Sequence, residues 1–137
     1  MFTMNKLFII LISVLSFNSS NNENDCSIVY NMATYALSHS KKALKSNNFD
    51  HQLYYSGKTL ESYKKIGDGM KNCDCKNATE LIMDITHDAE KAADPVDWDR
   101  GRYYSKKVYL NTQELITVLD MWSASNPQIE TPGEQDQ

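Results

Sequence analysis

Between residues 27 and 124, apolar side chains return every three or four positions in four separate segments, and in none of them do they alternate as in a half-buried strand. The pattern predicts four helices. The first, over residues 27–46, has a stripe of Ile28, Met32, Tyr35, Ala36, His39 and Ala43, with Val29, Ala33, Leu37 and Leu44 beside it and Lys41, Lys42 and Lys45 outside it. The second, over residues 51–70, is expected to bury Leu53, Gly57, Leu60, Tyr63, Ile66 and Met70, and Gly67 and Gly69 loosen its end. The third, over residues 78–93, has the stripe Ala78, Leu81, Ile82, Ile85, Ala89 and Ala92, and Asn77 with Glu80 reads as a capping box. The fourth runs to residue 124 with Tyr104, Val108, Leu115, Val118, Leu119 and Trp122 inward. Two starts compete for it, the Asp94-Pro95 pair and Asp99.

A ten-residue segment occurs twice. Phe49-Asp50-His51-Gln52-Leu53-Tyr54-Tyr55-Ser56-Gly57-Lys58 returns 49 positions later as Trp98-Asp99-Arg100-Gly101-Arg102-Tyr103-Tyr104-Ser105-Lys106-Lys107, with five of ten positions identical. The same offset relates Cys26 to Cys75. Internal repetition of this kind predicts architecture: two helical hairpins, residues 26–71 and 75–124, forming one all-α, up-down-up-down four-helix bundle. In each copy the spacing of aromatic, Asp and Tyr suits a hydrophobic staple, with Asp50 or Asp99 as N-cap, Phe49 or Trp98 before it, and Tyr54 or Tyr103 at the fourth helical position. The segment from Asn48 through Tyr55 to Leu60 loosely resembles the turn and second helix of a tetratricopeptide repeat. That family's period is 34 residues, and its Trp–Leu–Gly–Tyr pattern is missing from the first helix here, so its peptide-binding function is not carried over.

The chain of 137 residues is long enough for one domain with a modest core. Met1 to Lys6 is a short basic start, Leu7 to Phe17 an apolar run, and Asn18-Ser19-Ser20 a small-residue exit. Residues 1–20 therefore read as a signal peptide cleaved near Ser19 or Ser20, too short to remain as a membrane anchor, and the expected location is secreted or periplasmic. Residues 125–137 hold two prolines, a glycine and three acids, and read as a disordered acidic tail. The balance of 14 basic and 18 acidic residues gives a net charge of −4 and argues against nucleic acid as a partner. The hairpins differ in sign: residues 26–71 carry seven Lys and three acids, residues 72–124 six basic residues and ten acids. Opposite charge favours their mutual packing.

In a secreted chain the three cysteines, Cys26, Cys73 and Cys75, predict one disulfide from Cys26 to either Cys73 or Cys75, with one thiol left over. His39 on an apolar stripe reads as a hydrogen-bonded core histidine, and His51 as exposed. Glu80, Asp84, His87 and Asp88 share a helix face that reads as a solvated acidic surface. No metal ligand set or cofactor is expected, because Asp84-Ile85-Thr86-His87 alone approaches the spacing that a di-metal bundle needs. Gly-x-Ser-x-Gly, phosphate-loop and haem motifs are missing, and the reading is of a protein that is not an enzyme.

Eight tyrosines suit a bundle whose helices are only partly buried, since the ring packs while the hydroxyl stays wet. Tyr55 and Tyr104, each with a lysine one turn on (Lys58, Lys107), mark candidate binding patches away from the cysteines. The expected function is thus a non-enzymatic binding or structural role with an unknown protein or peptide partner. The alternative is a small-ligand or metal-binding bundle using His39 or the Cys26/Cys73/Cys75 end.

Overall fold

A computed structural model describes residues 25–126. The expected signal peptide over residues 1–20, and all of the expected tail over residues 125–137 except its first two residues, fall outside the described residues. The described chain is four α-helices in an antiparallel bundle: α1 (Ser27–Lys45), α2 (Phe49–Gly69), α3 (Lys76–Ala93) and α4 (Trp98–Ser125), with one 3₁₀ turn, Met70–Asn72, extending α2. The order around the bundle is α1, α2, α3, α4, so that α2 and α4 lie diagonally opposite and run parallel. Connections of a few residues leave consecutive helices no alternative to antiparallel packing. Among the described residues no helix is long and apolar enough to cross a membrane.

Three helix starts differ from the sequence expectation. Helix α2 begins at Phe49, capped by Asn48, whose side chain accepts from the His51 amide at 2.9 Å. Helix α4 begins at Trp98, capped by Asp97, which accepts from the Arg100 amide at 2.8 Å. Phe49 and Trp98 are therefore first helical residues and not staple positions, and Asp50 and Asp99 lie in the first turn, where a carboxylate favours the helix dipole. Neither Asp94-Pro95 nor Asp99 starts α4. Helix α3 begins at Lys76, two residues before its expected start, with no side-chain cap, so Asn77 is not an N-cap. At the other end Ser125 belongs to α4 and not to a tail.

The apolar core is built from Val29, Ala33 and Ala36 of α1, Tyr63 and Ile66 of α2, Ala78, Ile82, Ile85 and Ala89 of α3, and Val108, Leu115 and Leu119 of α4. Burying each large aliphatic side chain stabilises by about 1.5–3 kcal/mol, and removing one leaves a void the bundle must collapse around. Helix α3 matches its expected stripe, apart from Leu81, which is only half-buried. Helix α1 is rotated from its stripe: Ile28 and Tyr35 are exposed, and Val29 and Ala33 point inward. Helix α2 departs further, because Gln52, Ser56, Thr59 and Ser62 are buried whereas Leu53, Gly57 and Leu60 are only partly so.

The reason is a polar seam along the α2–α4 diagonal. Gln52 is fully buried, and its Nε2 donates to the Ser56 Oγ at 2.8 Å and the Ala92 carbonyl at 3.0 Å, with the Ser105 Oγ at 3.2 Å. Ser56 and Ser105 are in hydroxyl contact at 3.3 Å. Further along, the Tyr63 hydroxyl donates to Thr112 Oγ1 at 2.6 Å, and the Thr112 hydroxyl in turn donates to the Val108 carbonyl. Gly101 abuts the Gln52 carboxamide so closely that a Cβ there would overlap it. At the seam's mouth the rings of Phe49 and Trp98 lie 6.3 Å apart. All four pairs, 49 with 98, 52 with 101, 56 with 105 and 63 with 112, share the offset of 49 residues, so corresponding positions of the two hairpins meet along the centre of the bundle.

Candidate functional site

The repeated Tyr-Tyr dipeptides form the bundle's two aromatic–basic clusters. In the first hairpin, α2 presents Tyr54 and Tyr55 edge to face, centroids 5.1 Å apart. Lys58 lies over Tyr54 at 5.9 Å, and Lys42 reaches across from α1 to lie over Tyr55 at 5.6 Å. In the second, α4 presents Tyr103 and Tyr104 edge to face at 5.0 Å. Lys107 lies over both rings, at 5.9 and 5.8 Å, and Lys91 reaches across from α3 over Tyr104 at 5.2 Å. Lys42 and Lys91 again differ by 49. The clusters thus sit on the α1–α2 and α3–α4 seams, on opposite sides of the bundle. From Tyr55 to the end of α2 is about 20 Å at 1.5 Å per residue, so both lie well away from the cysteines. Of the sequence candidates, Tyr55 meets Lys42 and Tyr104 meets Lys107, while Lys58 sits over Tyr54. Lys42, Lys91, Tyr54 and Tyr103 were not among those candidates; the offset of 49 relates Lys42 to Lys91, but only the packing of α1 on α2 and of α3 on α4 brings them over the rings.

The electrostatics of the two clusters differ. In hairpin two, Asp88 is 7% exposed and holds Lys107 at 3.0 Å, a hydrogen bond that pushes the lysine's pKa up. Asp88 therefore does not belong to a solvated acidic face as expected; the exposed residues of that face are Glu80, Asp84 and His87. In hairpin one the corresponding position is His39. Its ring stacks on Tyr55 with centroids 6.4 Å apart. Its Nδ1 is buried without a hydrogen-bond partner, and the residue is only partly buried, so it is not the hydrogen-bonded core histidine the stripe suggested. Burial first, then the charges of Lys42 and Lys58, hold its pKa below the usual histidine value, opposed by Glu61. Lys58 pairs with Glu61 at 3.1 Å, with both side chains open to solvent. His51 is exposed, as expected.

At the opposite end Cys26 and Cys73 are joined, with Cα atoms 4.7 Å apart, tying the start of α1 to the end of α2. The bridge closes a loop of 47 residues and stabilises by about 4 kcal/mol in the chain-entropy account. Cys75 is free and buried, and desolvation raises its pKa, which disfavours the reactive thiolate. Beside the bridge, a cleft of about 460 Å³ between α1 and α4 is lined by Cys26, Tyr30, Asn31, Leu119 and Trp122 among others. Among the described residues no group of three or more His, Cys, Asp or Glu side chains is arranged to hold a metal ion.

No protein-family model matches the chain, and neither the curated proteins nor the solved structures compared with it include a match.

Proposed function

We propose that this protein is a secreted or periplasmic interaction module, not an enzyme, that engages a protein or peptide partner through its aromatic–basic clusters. The observation that carries this reading is the duplication of one surface motif, two edge-to-face tyrosines under two lysines, on both hairpins. Tyr54 and Tyr103 are 60% and 55% exposed, more than a small core requires. Tyrosine concentrates binding energy at interfaces because a large rigid ring is desolvated with little loss of side-chain freedom. The lysine ammonium groups already lie over the rings, so docking a partner orders few additional groups. The disulfide suits an oxidising compartment.

The test is capture on immobilised protein. Material from the source's extracellular or periplasmic fraction should bind the wild type and not a Tyr55→Ala, Lys58→Ala, Tyr104→Ala, Lys107→Ala variant of unchanged helicity. Equal capture by both would overturn the proposal. A second reading, a small-ligand binder, has one observation in its favour, the cleft beside Cys26. It requires a ligand mass on the native protein that is lost when Trp122 is replaced by Ala.

A further inference from the structure

The two clusters share their rings and their lysines but differ in one residue that faces them. Hairpin two supplies a carboxylate, Asp88, to Lys107 at 3.0 Å. Hairpin one has His39 at that position, and helix α1 carries no acidic residue at all. Hairpin one is left with Lys42 and the unpartnered Nδ1 of His39 at Tyr55, and with Lys58 over the adjoining ring of Tyr54. The nearby acid is Glu61, an exposed neighbour of Lys58 on the same helix. Exposed pairs of that kind contribute little and exchange readily with solvent or another anion. At the matching position hairpin two has Leu110, so Glu61 is not the counterpart of Asp88.

We infer that the cluster of His39, Lys42, Tyr55 and Lys58 is a docking site for an acidic side chain of a partner protein, and that hairpin two carries the same site filled from within by Asp88. The inference rests on the partner-binding reading above and names the chemistry of the partner. A carboxylate is favoured over other anions because the molecule itself shows one seated in the equivalent place, hydrogen-bonded to a lysine that also lies over both rings. In the ligand complex the carboxylate takes over Lys58 from Glu61, and the edges of Tyr54 and Tyr55 pack against the methylenes of the acidic side chain. Lys41, Lys42 and Lys45 on α1 add an attractive local field despite the overall negative charge. The two sides of the bundle are then unequal, one open to an acidic partner and one self-occupied.

The probe is an acetylated, amidated hexaglutamate peptide titrated into isotope-labelled protein, with amide and side-chain resonances followed. Hexaglutamine serves as the neutral control and inorganic sulfate as the competing anion class. Saturable shifts should appear at His39, Lys42, Tyr55 and Lys58 and not at Lys91, Tyr104 and Lys107. His39→Asp should weaken binding at least tenfold, and Asp88→His should open a second site on hairpin two. Each variant is checked for an unchanged spectrum outside its own cluster. Equal response of both clusters, equal response to hexaglutamine, stronger binding of sulfate, no saturable shift, or indifference to both substitutions would each overturn the inference. The partner-binding reading fails separately: if capture depends on the tyrosines while hexaglutamate binds nowhere, only the carboxylate assignment falls. Capture that ignores the tyrosines removes both.

Discussion

Replacing Gly101 by Ala should destabilise the protein, although the same change in an exposed helix interior is stabilising. Ala is preferred over Gly within a helix by about 1 kcal/mol, so helix propensity alone predicts a gain. The added methyl would overlap the carboxamide of Gln52, a fully buried side chain that can yield only by rotating. Rotation breaks its bonds to Ser56 and to the Ala92 carbonyl, and leaves that carbonyl, itself on a buried residue, without this donor. Leaving the buried Ala92 carbonyl unsatisfied costs about 1–3 kcal/mol, its own lost bond included, and the bond lost to Ser56 adds about 1 kcal/mol. The sum, set against the propensity gain, is a net loss of about 2 kcal/mol. With a urea m-value of about 1–2 kcal/mol/M for a domain of this size, the midpoint of unfolding followed by circular dichroism should fall by roughly 1–2 M with the slope unchanged. The decisive arm is a double-mutant cycle. In a Gln52→Ala background the obstruction is gone, and Gly101→Ala should then stabilise by about 1 kcal/mol. If Gly101→Ala carries the same sign in both backgrounds, the central contact between the hairpins is not the one described.

Removing the bridge with Cys26→Ser and Cys73→Ser together should lower stability by about 4 kcal/mol, read from denaturant midpoints against the oxidised wild type. Cys75 should resist alkylation by iodoacetamide at neutral pH in the folded protein and react once urea unfolds it; fast modification of the native thiol would contradict its burial. Burial holds the Tyr63 phenol well above its ordinary pKa near 10, so an alkaline spectrophotometric titration should show one tyrosine of eight that ionises only with unfolding. Since the unfolded phenol ionises first, stability should fall as pH rises above about 10, and Tyr63→Phe should flatten that fall. His39 has the opposite sense: its folded pKa is lowered, so its contribution is present above about pH 6.5 and is lost as pH falls below it. His39→Asn should remove that acid-side slope from the unfolding midpoints.

The number of helices, and their spans to within about two residues, were legible because apolar spacing near 3.6 residues survives in all four. Their rotation was less so, and the failures have one origin. Gln52, Ser56 and Thr59 on α2 and Ser105 and Thr112 on α4 are buried and hydrogen-bonded across the bundle or back to their own helix. An apolar stripe cannot reveal a polar seam, so Leu53 and Leu60 were placed inward in their stead. The staple reading failed for a related reason, since Asp50 and Asn48 are both acceptable caps by type and only backbone geometry separates them. The disulfide could be narrowed to two partners from topology, and Cys73 was selected by where the 3₁₀ turn after α2 delivers it. The tyrosine–lysine patches were half visible: the pairs within one helix could be read from spacing, and the lysines arriving from α1 and α3 could not.

The central seam also settles which hairpin can sit against which. At the Gln52–Gly101 level a long side chain fills the space its neighbour leaves vacant, and Tyr63 opposite Thr112 repeats the arrangement. Two copies of the first hairpin would drive glutamine against glutamine and tyrosine against tyrosine. Two copies of the second would face glycine with glycine and threonine with threonine, leaving hollows. Neither half is a good mate for its own duplicate, and the opposed charges of the halves press the same way. Chains at high concentration therefore have little to gain from symmetric self-pairing, and any exchange of halves between molecules must bring first and second together, rebuilding the same interior in each lobe of a swapped dimer.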